Sequence, residues 1–138
     1  MAVAASLEGK ILIELANALD FSHGMPPFVP AAYSGASSLG EQIQAAYPGA
    51  QVVKAFNTIA AAVGANPALV PGADELLIAG NDPAAKAVVT ALARELGWTA
   101  FIDLGGITGA RGMEQFLPLA MLLFGALGTG MPGLKVMR

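Results

Sequence analysis

The sequence of 138 residues contains no cysteine, a single histidine and few charged residues. The absence of cysteine excludes disulfide bonds, thiol nucleophiles and thiolate metal ligands together. Charged residues make up 12% of the chain, against about 25% in an average soluble domain. A chain so poor in charge exposes more apolar surface than usual, and we expect part of that surface to contact a partner chain or a ligand.

Side chains for acid–base or nucleophilic catalysis are equally scarce. His23 lies in a segment punctuated by prolines and glycines, Asp20 to Gly35, which predicts a loop. No candidate triad or metal partner stands near it, and a surface or loop-packing role is typical of such a histidine. The aspartates are scattered without metal-ligand spacing. Hydrolase and metalloenzyme functions are therefore disfavoured.

Basic residues are too few for a nucleic-acid interface. The formal net charge is -3 and the pI is about 4.9, and no cluster of Lys or Arg could neutralise a phosphate backbone. We therefore expect no nucleic-acid partner.

The apolar character of the chain raises the question of a membrane. The mean hydropathy is +0.62, but the most apolar stretch, Phe116 to Leu127, is shorter than the roughly 20 residues of a membrane span. It also contains Pro118 and Gly125. We expect a buried or interfacial helix there and no membrane partner, with a membrane-associated helix as the weaker alternative. The amino end lacks the features of a secretory signal, which predicts a cytoplasmic location.

Short apolar runs alternate with helical patterns along the chain. The runs at 10–15, 75–79 and 99–104, and the run that starts at Gln51 and ends at the polar turn Asn57-Thr58, are long enough for strands and too short for helices. Near-continuous apolarity of the kind seen at 10–15 is typical of strands covered on both faces. The alternation predicts an α/β fold with a mainly parallel sheet and flanking helices.

Two of the predicted helices carry clear amino-terminal signals. The spacing of Ser38 and Glu41 is that of a capping box, in which the serine hydroxyl accepts the third N–H group and the glutamate reaches back. The pair Asp82-Pro83 suits a second helix start. The pattern of this second helix predicts a buried face and a solvent face, consisting respectively of Val88, Ala91, Leu92 and Leu96, and of Lys86, Thr90 and Arg94.

The segment from Gln51 to Ala61 is the first candidate for a functional site. A β-branched strand ends there at a polar turn, Asn57-Thr58, and an alanine-rich stretch follows. In open α/β sheets, ligands lie beyond the carboxyl ends of the strands. The alternative is purely structural: Asn57 caps the next helix and Thr58 satisfies its backbone.

The glycine-rich segment Gly105 to Gly112 is a second candidate. It lies between a predicted strand and a predicted helix, but its spacing differs from the Gly-x-Gly-x-x-Gly pattern of dinucleotide-binding turns. Free N–H groups in this turn, together with Arg111, would suit an anion. The alternative is a flexible connection in which Arg111 is solvated or pairs with Glu114.

Several segments, in order along the chain, resemble the deazaflavin-dependent NADP oxidoreductase family. The principal segment is Val52-Val53-Lys54-Ala55-Phe56-Asn57-Thr58-Ile59. The others are Gly9 to Ile13 with Asn17, Ser38 to Glu41, Gly80 to Asp82, Gly97-Trp98, Asp103 to Ile107, Ala110-Arg111 with Glu114, and Gly133 to Val136. The resemblance spans nearly all of the chain but only the later part of a family member, because the glycine-rich first strand-turn-helix has no counterpart here.

The resemblance implies a division of the chain and a set of site residues. Residues 1–64 would belong to a Rossmann-like sheet and residues 65–138 to a small C-terminal α/β portion, both within one domain. Asn57, Ile59 and Ala61 would approach a nicotinamide, and Asn17 would face the same crevice, although Ala18 stands where family members often have proline. The opposite, deazaflavin pocket would include Ile107, Arg111 and Leu117.

The function implied by the resemblance is hydride transfer between NADP and the deazaflavin coenzyme F(420). Such a reaction needs few catalytic side chains, because the cofactors supply the chemistry. Since the phosphate-binding half has no counterpart, we expect this chain by itself to bind NADP weakly or not at all. The open edge of the first strand predicts a homo-oligomer or pairing with another chain. The alternative is a non-catalytic dimerisation or small-ligand binding module derived from the same fold.

Overall fold

The computed structural model describes residues 7–72, 75–130 and 133–137, and its centre is a four-stranded sheet. The strands follow one another across the sheet in chain order: β1 (Ile11–Glu14), β2 (Gln51–Ala55), β3 (Glu75–Gly80) and β4 (Ala100–Asp103). The pairs β1–β2 and β3–β4 are parallel, whereas β2 and β3 are antiparallel. The predicted α/β fold with a mainly parallel sheet is confirmed, with one reversal of direction at its centre.

Helices cover both faces of this sheet. They are α1 (Leu39–Ala46), α2 (Ala61–Ala65), α3 (Pro83–Glu95) and α4 (Ala110–Leu127), with 3-10 turns at Ala31–Tyr33, Pro67–Leu69 and Ile107–Gly109. Alternate residues of β2 point to opposite faces, so Val53 packs with α3 while Val52 packs beneath α1 and the start of α4. Both faces are therefore hydrophobic, as the apolar strand sequences predicted.

The two amino-terminal helix signals are observed, one with a changed partner. The Ser38 hydroxyl accepts the N–H of Glu41 at 3.2 Å, as in a capping box. The Glu41 carboxylate, however, accepts from the Ser38 hydroxyl at 2.8 Å and from Arg111, instead of from the N-cap N–H. Asp82 caps α3 by accepting two N–H groups of its first turn, at 2.7 and 3.0 Å.

The predicted buried face of α3 is wrong. The buried residues are Ala85, Val89 and Ala93, whereas Val88 and Leu92 are 56% and 42% exposed. The observed face consists mainly of alanine at four-residue spacing, which lets the helix axis lie close to the sheet. The larger side chains are thereby displaced to the flank of the helix.

The loop predicted from Asp20 to Gly35 contains two short ordered features. Asp20 and Phe28 exchange both backbone hydrogen bonds in an antiparallel bridge, and Ala31–Tyr33 forms a 3-10 turn. His23 is exposed, and its ring centroid lies 5.4 Å from that of Phe28. This contact agrees with a loop-packing role for the histidine.

The carboxyl-terminal helix α4 is apolar on more than one side. Met113, Leu117 and Ala120 are buried, whereas Leu119, Leu122 and Leu127 are exposed. None of the helices in the described ranges combines the length and the apolarity needed to cross a membrane.

Candidate functional site

A groove of about 430 Å³ opens where β1 and β2 end. Because these two strands are parallel, their carboxyl ends lie side by side at the same end of the sheet, which is the usual place for ligands in α/β folds. The carboxyl-terminal half of α3 forms the opposite wall. The lining is apolar apart from two amide side chains and consists of Ile13, Leu15, Asn17, Phe56, Asn57, Ile59, Ala61, Gly64, Ala65, Leu92 and Leu96.

The two asparagines of the groove hold each other. The Asn17 side-chain N–H donates to the backbone carbonyl of Asn57, and the Asn57 side-chain N–H donates to Oδ1 of Asn17, both at 2.9 Å. A second N–H of the Asn57 amide donates to the carbonyl of Met113 at 3.0 Å. The helix-capping interpretation of Asn57 is therefore wrong, because α2 begins after Ala60 without any side-chain cap.

One atom of this pair lacks a partner. Asn57 is 3% exposed, and within the described part of the chain its Oδ1 accepts no hydrogen bond. A buried acceptor without a donor costs about 1–3 kcal/mol. A ligand that brings an N–H or O–H donor to Asn57 would remove this penalty.

The backbone next to Asn57 is strained. Phe56 has a φ of 64°, in the left-handed region that bulky side chains rarely occupy. The Phe56 ring packs edge-on against Trp98 at 6.5 Å, and the buried Trp98 indole donates to the carbonyl of Gly64 at 3.0 Å. Such strain is often stored at functional sites and persists because the surrounding packing imposes it.

A cluster of charged side chains lies between the carboxyl ends of β1 and β2 and helix α4. Glu14 on β1 stands beside Lys54 on β2 in the parallel register. The Lys54 ammonium, which is fully buried, contacts the Glu14 carboxylate and lies 3.0 Å from Glu114 Oε1 on α4. Glu114 also accepts the backbone N–H groups of Leu39 at 2.8 Å and Gly40 at 3.1 Å. One buried carboxylate thus joins α4, β2 and the amino end of α1.

The predicted pairing of Arg111 with Glu114 is wrong. Arg111 instead forms a two-pronged ion pair with Glu41, at 2.8 Å and 2.5 Å. Hydrogen bonds from the Arg111 guanidinium hold the pKa of Glu41 below its usual value, and the same contact raises the pKa of Arg111. Glu114 and Arg111 diverge because the first is buried against β2 while the second lies at the solvent edge of α1.

The glycine-rich turn before α4 does not offer the free N–H groups expected of an anion cradle. The N–H of Gly105 donates to Asp103 Oδ1 at 2.8 Å, and the N–H of Ile107 donates to Asn81 Oδ1 at 2.9 Å. The N–H of Gly109 donates to the carbonyl of Gly106 at 2.9 Å. Oxygens of the chain itself therefore occupy these three donors, whereas Gly105, Gly106 and Thr108 are exposed to solvent.

The resemblance placed seven residues at the site, and the structure divides them into two groups. Asn17, Asn57, Ile59 and Ala61 line the groove together. Ile107 lies in the core beside Ala50 and Val52, Arg111 pairs with Glu41, and Leu117 is buried in α4. None of these last three lines the groove. For Ile107 the antiparallel step between β2 and β3 is the reason, since it carries the end of β4 and the turn after it to the opposite end of the strands.

Sequence analysis missed the supporting charges Glu14, Lys54 and Glu114. A signal for them was present, because each interrupts an otherwise apolar strand or helix, and charged residues are seldom fully buried unless they are paired. The sequence did not indicate which of them pair. Their contact depends on strand register and on where α4 crosses the sheet.

The fold and groove therefore define an α/β domain with a ligand-sized crevice at the carboxyl ends of β1 and β2. Comparison with known proteins narrows the class of protein further. No family model matches the chain. The chain is 48% identical to a presumed coenzyme F(420)-dependent NADP reductase from Arthrobacter sp. FB24, with a TM-score of 0.93, over 99% of this chain and 62% of that one. It is 34% identical over 121 residues to metalloreductase STEAP3 from Rattus norvegicus.

A more distant solved structure shares the architecture. A hypothetical protein from Sinorhizobium meliloti is 26% identical with a TM-score of 0.62, over 99% of this chain and 60% of that protein. The chain spans 62% of the length of the Arthrobacter protein and 22% of the length of STEAP3. It is thus similar to parts of two proteins named as reductases.

Proposed function

We propose that this chain forms the nicotinamide-facing wall of a reductase that passes a hydride between the deazaflavin coenzyme F(420) and NADP. The observation that carries the proposal is the groove at the ends of β1 and β2, with the buried, unpartnered Oδ1 of Asn57 among its lining residues. The similarity to two proteins named as reductases supports the same class.

The lining fits a flat ring that carries an amide. Its apolar side chains exclude water from the ring faces, and the Asn17–Asn57 pair supplies a fixed polar anchor. The unpartnered, buried Oδ1 of Asn57 suits a carboxamide N–H as donor. When bound, the two cofactors would supply the chemistry, a hydride leaving reduced deazaflavin for NADP⁺ with release of a proton. The chain's task is to hold the ring and keep the crevice dry.

The groove does not fit the phosphates of the same cofactor. None of its lining residues is basic, and the turn after β4 uses its own N–H groups internally. Tight binding of NADP requires a phosphate site outside this groove, and we expect weak binding by the chain alone. The assignment of Ile107, Arg111 and Leu117 to the deazaflavin side rests on the family resemblance.

Titration of isotopically labelled protein with NADPH tests the proposal. NADPH should shift the NMR signals of the Asn17 and Asn57 side-chain amides at concentrations up to millimolar. The control ligand is 2′-phospho-ADP-ribose, which carries the same phosphates without the nicotinamide and should leave both signals in place. Equal effects of the two ligands, or no effect of NADPH, would contradict a nicotinamide site. Transfer of deuterium from labelled NADPH to coenzyme F(420) then tests turnover.

The second candidate function, a dimerisation or small-ligand module, is favoured by exposed apolar side chains in the groove and on α3 beside it. Leu15, Leu92 and Leu96 in the groove and Val88 on α3 are between 39% and 56% exposed, and among the described residues β1 has a neighbouring strand, β2, on one side only. We propose that the chain self-associates or pairs with another chain through this region. Sedimentation should show a species heavier than 13.9 kDa at micromolar concentration, and Leu92→Lys should lower its share. A monomer throughout would refute this proposal.

A further inference from the structure

The buried ammonium of Lys54 has a full set of partners, and they converge on the groove. Besides the carboxylates of Glu14 and Glu114, Lys54 donates to the backbone carbonyl of Ala16 at 2.6 Å. The ammonium thus donates hydrogen bonds to Glu14 and to the Ala16 carbonyl and forms an ion pair with Glu114 at 3.0 Å.

The Ala16 contact fixes one side of the asparagine pair. Glu14 binds Lys54 with one carboxylate oxygen and accepts the N–H of Ala16 with the other, at 2.5 Å. The backbone of Ala16 is therefore held at its N–H and at its carbonyl by two buried charged groups. Asn17 is the next residue, and the peptide that joins it to Ala16 contains the carbonyl that Lys54 holds.

The Glu114 contact fixes the other side. Glu114 ties α4 to Lys54 and to the first N–H groups of α1. Its neighbour Met113 presents the carbonyl that accepts the Asn57 amide. The two carboxylates that pair with Lys54 therefore lie next to the backbone groups that orient the asparagines. Glu14 accepts the N–H of Ala16, which precedes Asn17, and Glu114 follows Met113, whose carbonyl accepts the Asn57 amide.

A buried ion cluster is weak evidence for stability, because the cost of desolvation can exceed the Coulombic gain. The arrangement here suggests another use. We propose that Lys54 is a positioning residue, which with Glu14 and Glu114 fixes the orientation of the Asn17–Asn57 pair in the groove. The consequence of this positioning, the presentation of the Asn57 acceptor to a ligand, rests on the proposed function. The positioning itself is measurable in the protein without ligand.

Hydrogen exchange of side-chain amides tests the positioning. In Lys54→Met, the Asn17 and Asn57 side-chain amide protons should exchange about tenfold faster or more. A tenfold increase corresponds to a decrease of about 1.4 kcal/mol in the free energy of local opening. The Trp98 indole proton, bonded to the Gly64 carbonyl on the other side of the groove, should keep its rate. The matched control is Lys86→Met, which removes an ammonium from an ion pair with the half-exposed Asp103 and should change neither set of protons.

The Trp98 proton separates a local effect from general unfolding. Faster asparagine exchange at constant Trp98 exchange supports the proposal, and unchanged exchange of both overturns it. If Lys54→Met accelerates both, Glu14→Gln decides, since it keeps Lys54 paired with Glu114 and weakens only the contacts of residue 14 with Lys54 and with the Ala16 N–H. Glu14→Gln should loosen Asn17 and Asn57 while Trp98 stays protected, and an unaltered asparagine pair in this variant would overturn the proposal.

NADPH titration of the same variants distinguishes this inference from the proposed function. Where wild-type protein shows the NADPH-dependent shift, Glu14→Gln should weaken the apparent affinity several-fold. Where wild-type protein shows no such shift, the proposed function fails, and the exchange experiment still decides whether Lys54 positions the pair.

Discussion

Replacing Asn57 with leucine should destabilise the fold by an amount that the hydrogen bonds of the groove allow one to work out. The substitution keeps the branched shape and the number of side-chain heavy atoms, and it removes the amide that donates to Asn17 Oδ1 and to the Met113 carbonyl. The Asn17 Oδ1 left without this donor costs about 1–3 kcal/mol, and the lost hydrogen bond to the Met113 carbonyl, which lies within α4, costs about 0.5–1.5 kcal/mol. Removal of the unpartnered Asn57 Oδ1 returns about 1 kcal/mol. The half-buried Asn17 can recruit water, so we expect a net loss of about 2 kcal/mol.

Urea unfolding, followed by the fluorescence of the single, buried Trp98, measures this loss. With a slope of about 1–3 kcal/mol per molar urea, the midpoint should fall by about 1 M. A double-mutant cycle with Asn17→Ala isolates the contribution of the pair. The double variant should lose about 1 kcal/mol less than the sum of the single variants, because both single changes remove the same hydrogen bond.

The control for this cycle is Asn66→Ala. The Asn66 side chain accepts the N–H of Ala68 at 3.2 Å at the protein surface and has no contact with the groove pair. Its cost should add to that of Asn57→Leu. Additive losses for Asn17→Ala and Asn57→Leu, within about 0.5 kcal/mol, would refute the claim that the two amides act as one unit.

Two further predictions concern the contacts of α4. Gly109→Ala should lower the free energy of unfolding by about 1–3 kcal/mol, since its Cβ would lie 2.8 Å from the Leu104 Cβ. The Cβ of Gly112→Ala would meet nothing within 4 Å, and this variant should raise the free energy of unfolding by about 0.5–1 kcal/mol. Thermal or urea unfolding measures both changes. Arg111→Met should destabilise most above the ordinary glutamate pKa of about 4.3. The Arg111 pair lowers the folded-state pKa of Glu41, so its stabilisation is complete above the unfolded pKa and disappears as the pH falls through the lowered one. A stability difference that is constant from neutral to acid pH would contradict this assignment.

The elements that the sequence predicted well are those specified by local chemistry. The strands at Gln51–Ala55 and Glu75–Gly80, and the Ser38 and Asp82 caps, each depend on residues within a few positions of one another. The polar turn at Asn57 was also visible, because an asparagine directly after an apolar strand stands out. Its alternative role as a helix cap was wrong, since α2 begins too late for the side chain to reach its N–H groups.

The partners of charged residues were not predictable in the same way. Arg111 and Glu114 are three residues apart in a helix, a spacing that favours pairing, yet each found a stronger partner elsewhere. Glu114 meets Lys54, and Arg111 meets Glu41, across 60 and 70 positions of sequence respectively. Helical periodicity alone also misassigned the buried face of α3. The larger apolar residues Val88 and Leu92 were expected to be buried, but the buried face contains Ala85, Val89 and Ala93.

The sequence by itself determined the class of fold, the scarcity of catalytic side chains and the polar turn at Asn57, because composition and short-range patterns are properties of the chain. Only the tertiary structure decided that β3 is antiparallel to β2, and this direction places the glycine-rich turn at the end of the sheet opposite the groove. It alone also decided that Glu14, Lys54 and Glu114 meet beneath the asparagine pair. These outcomes depend on strand direction and register, which arise from packing between distant segments and leave no mark on neighbouring residues.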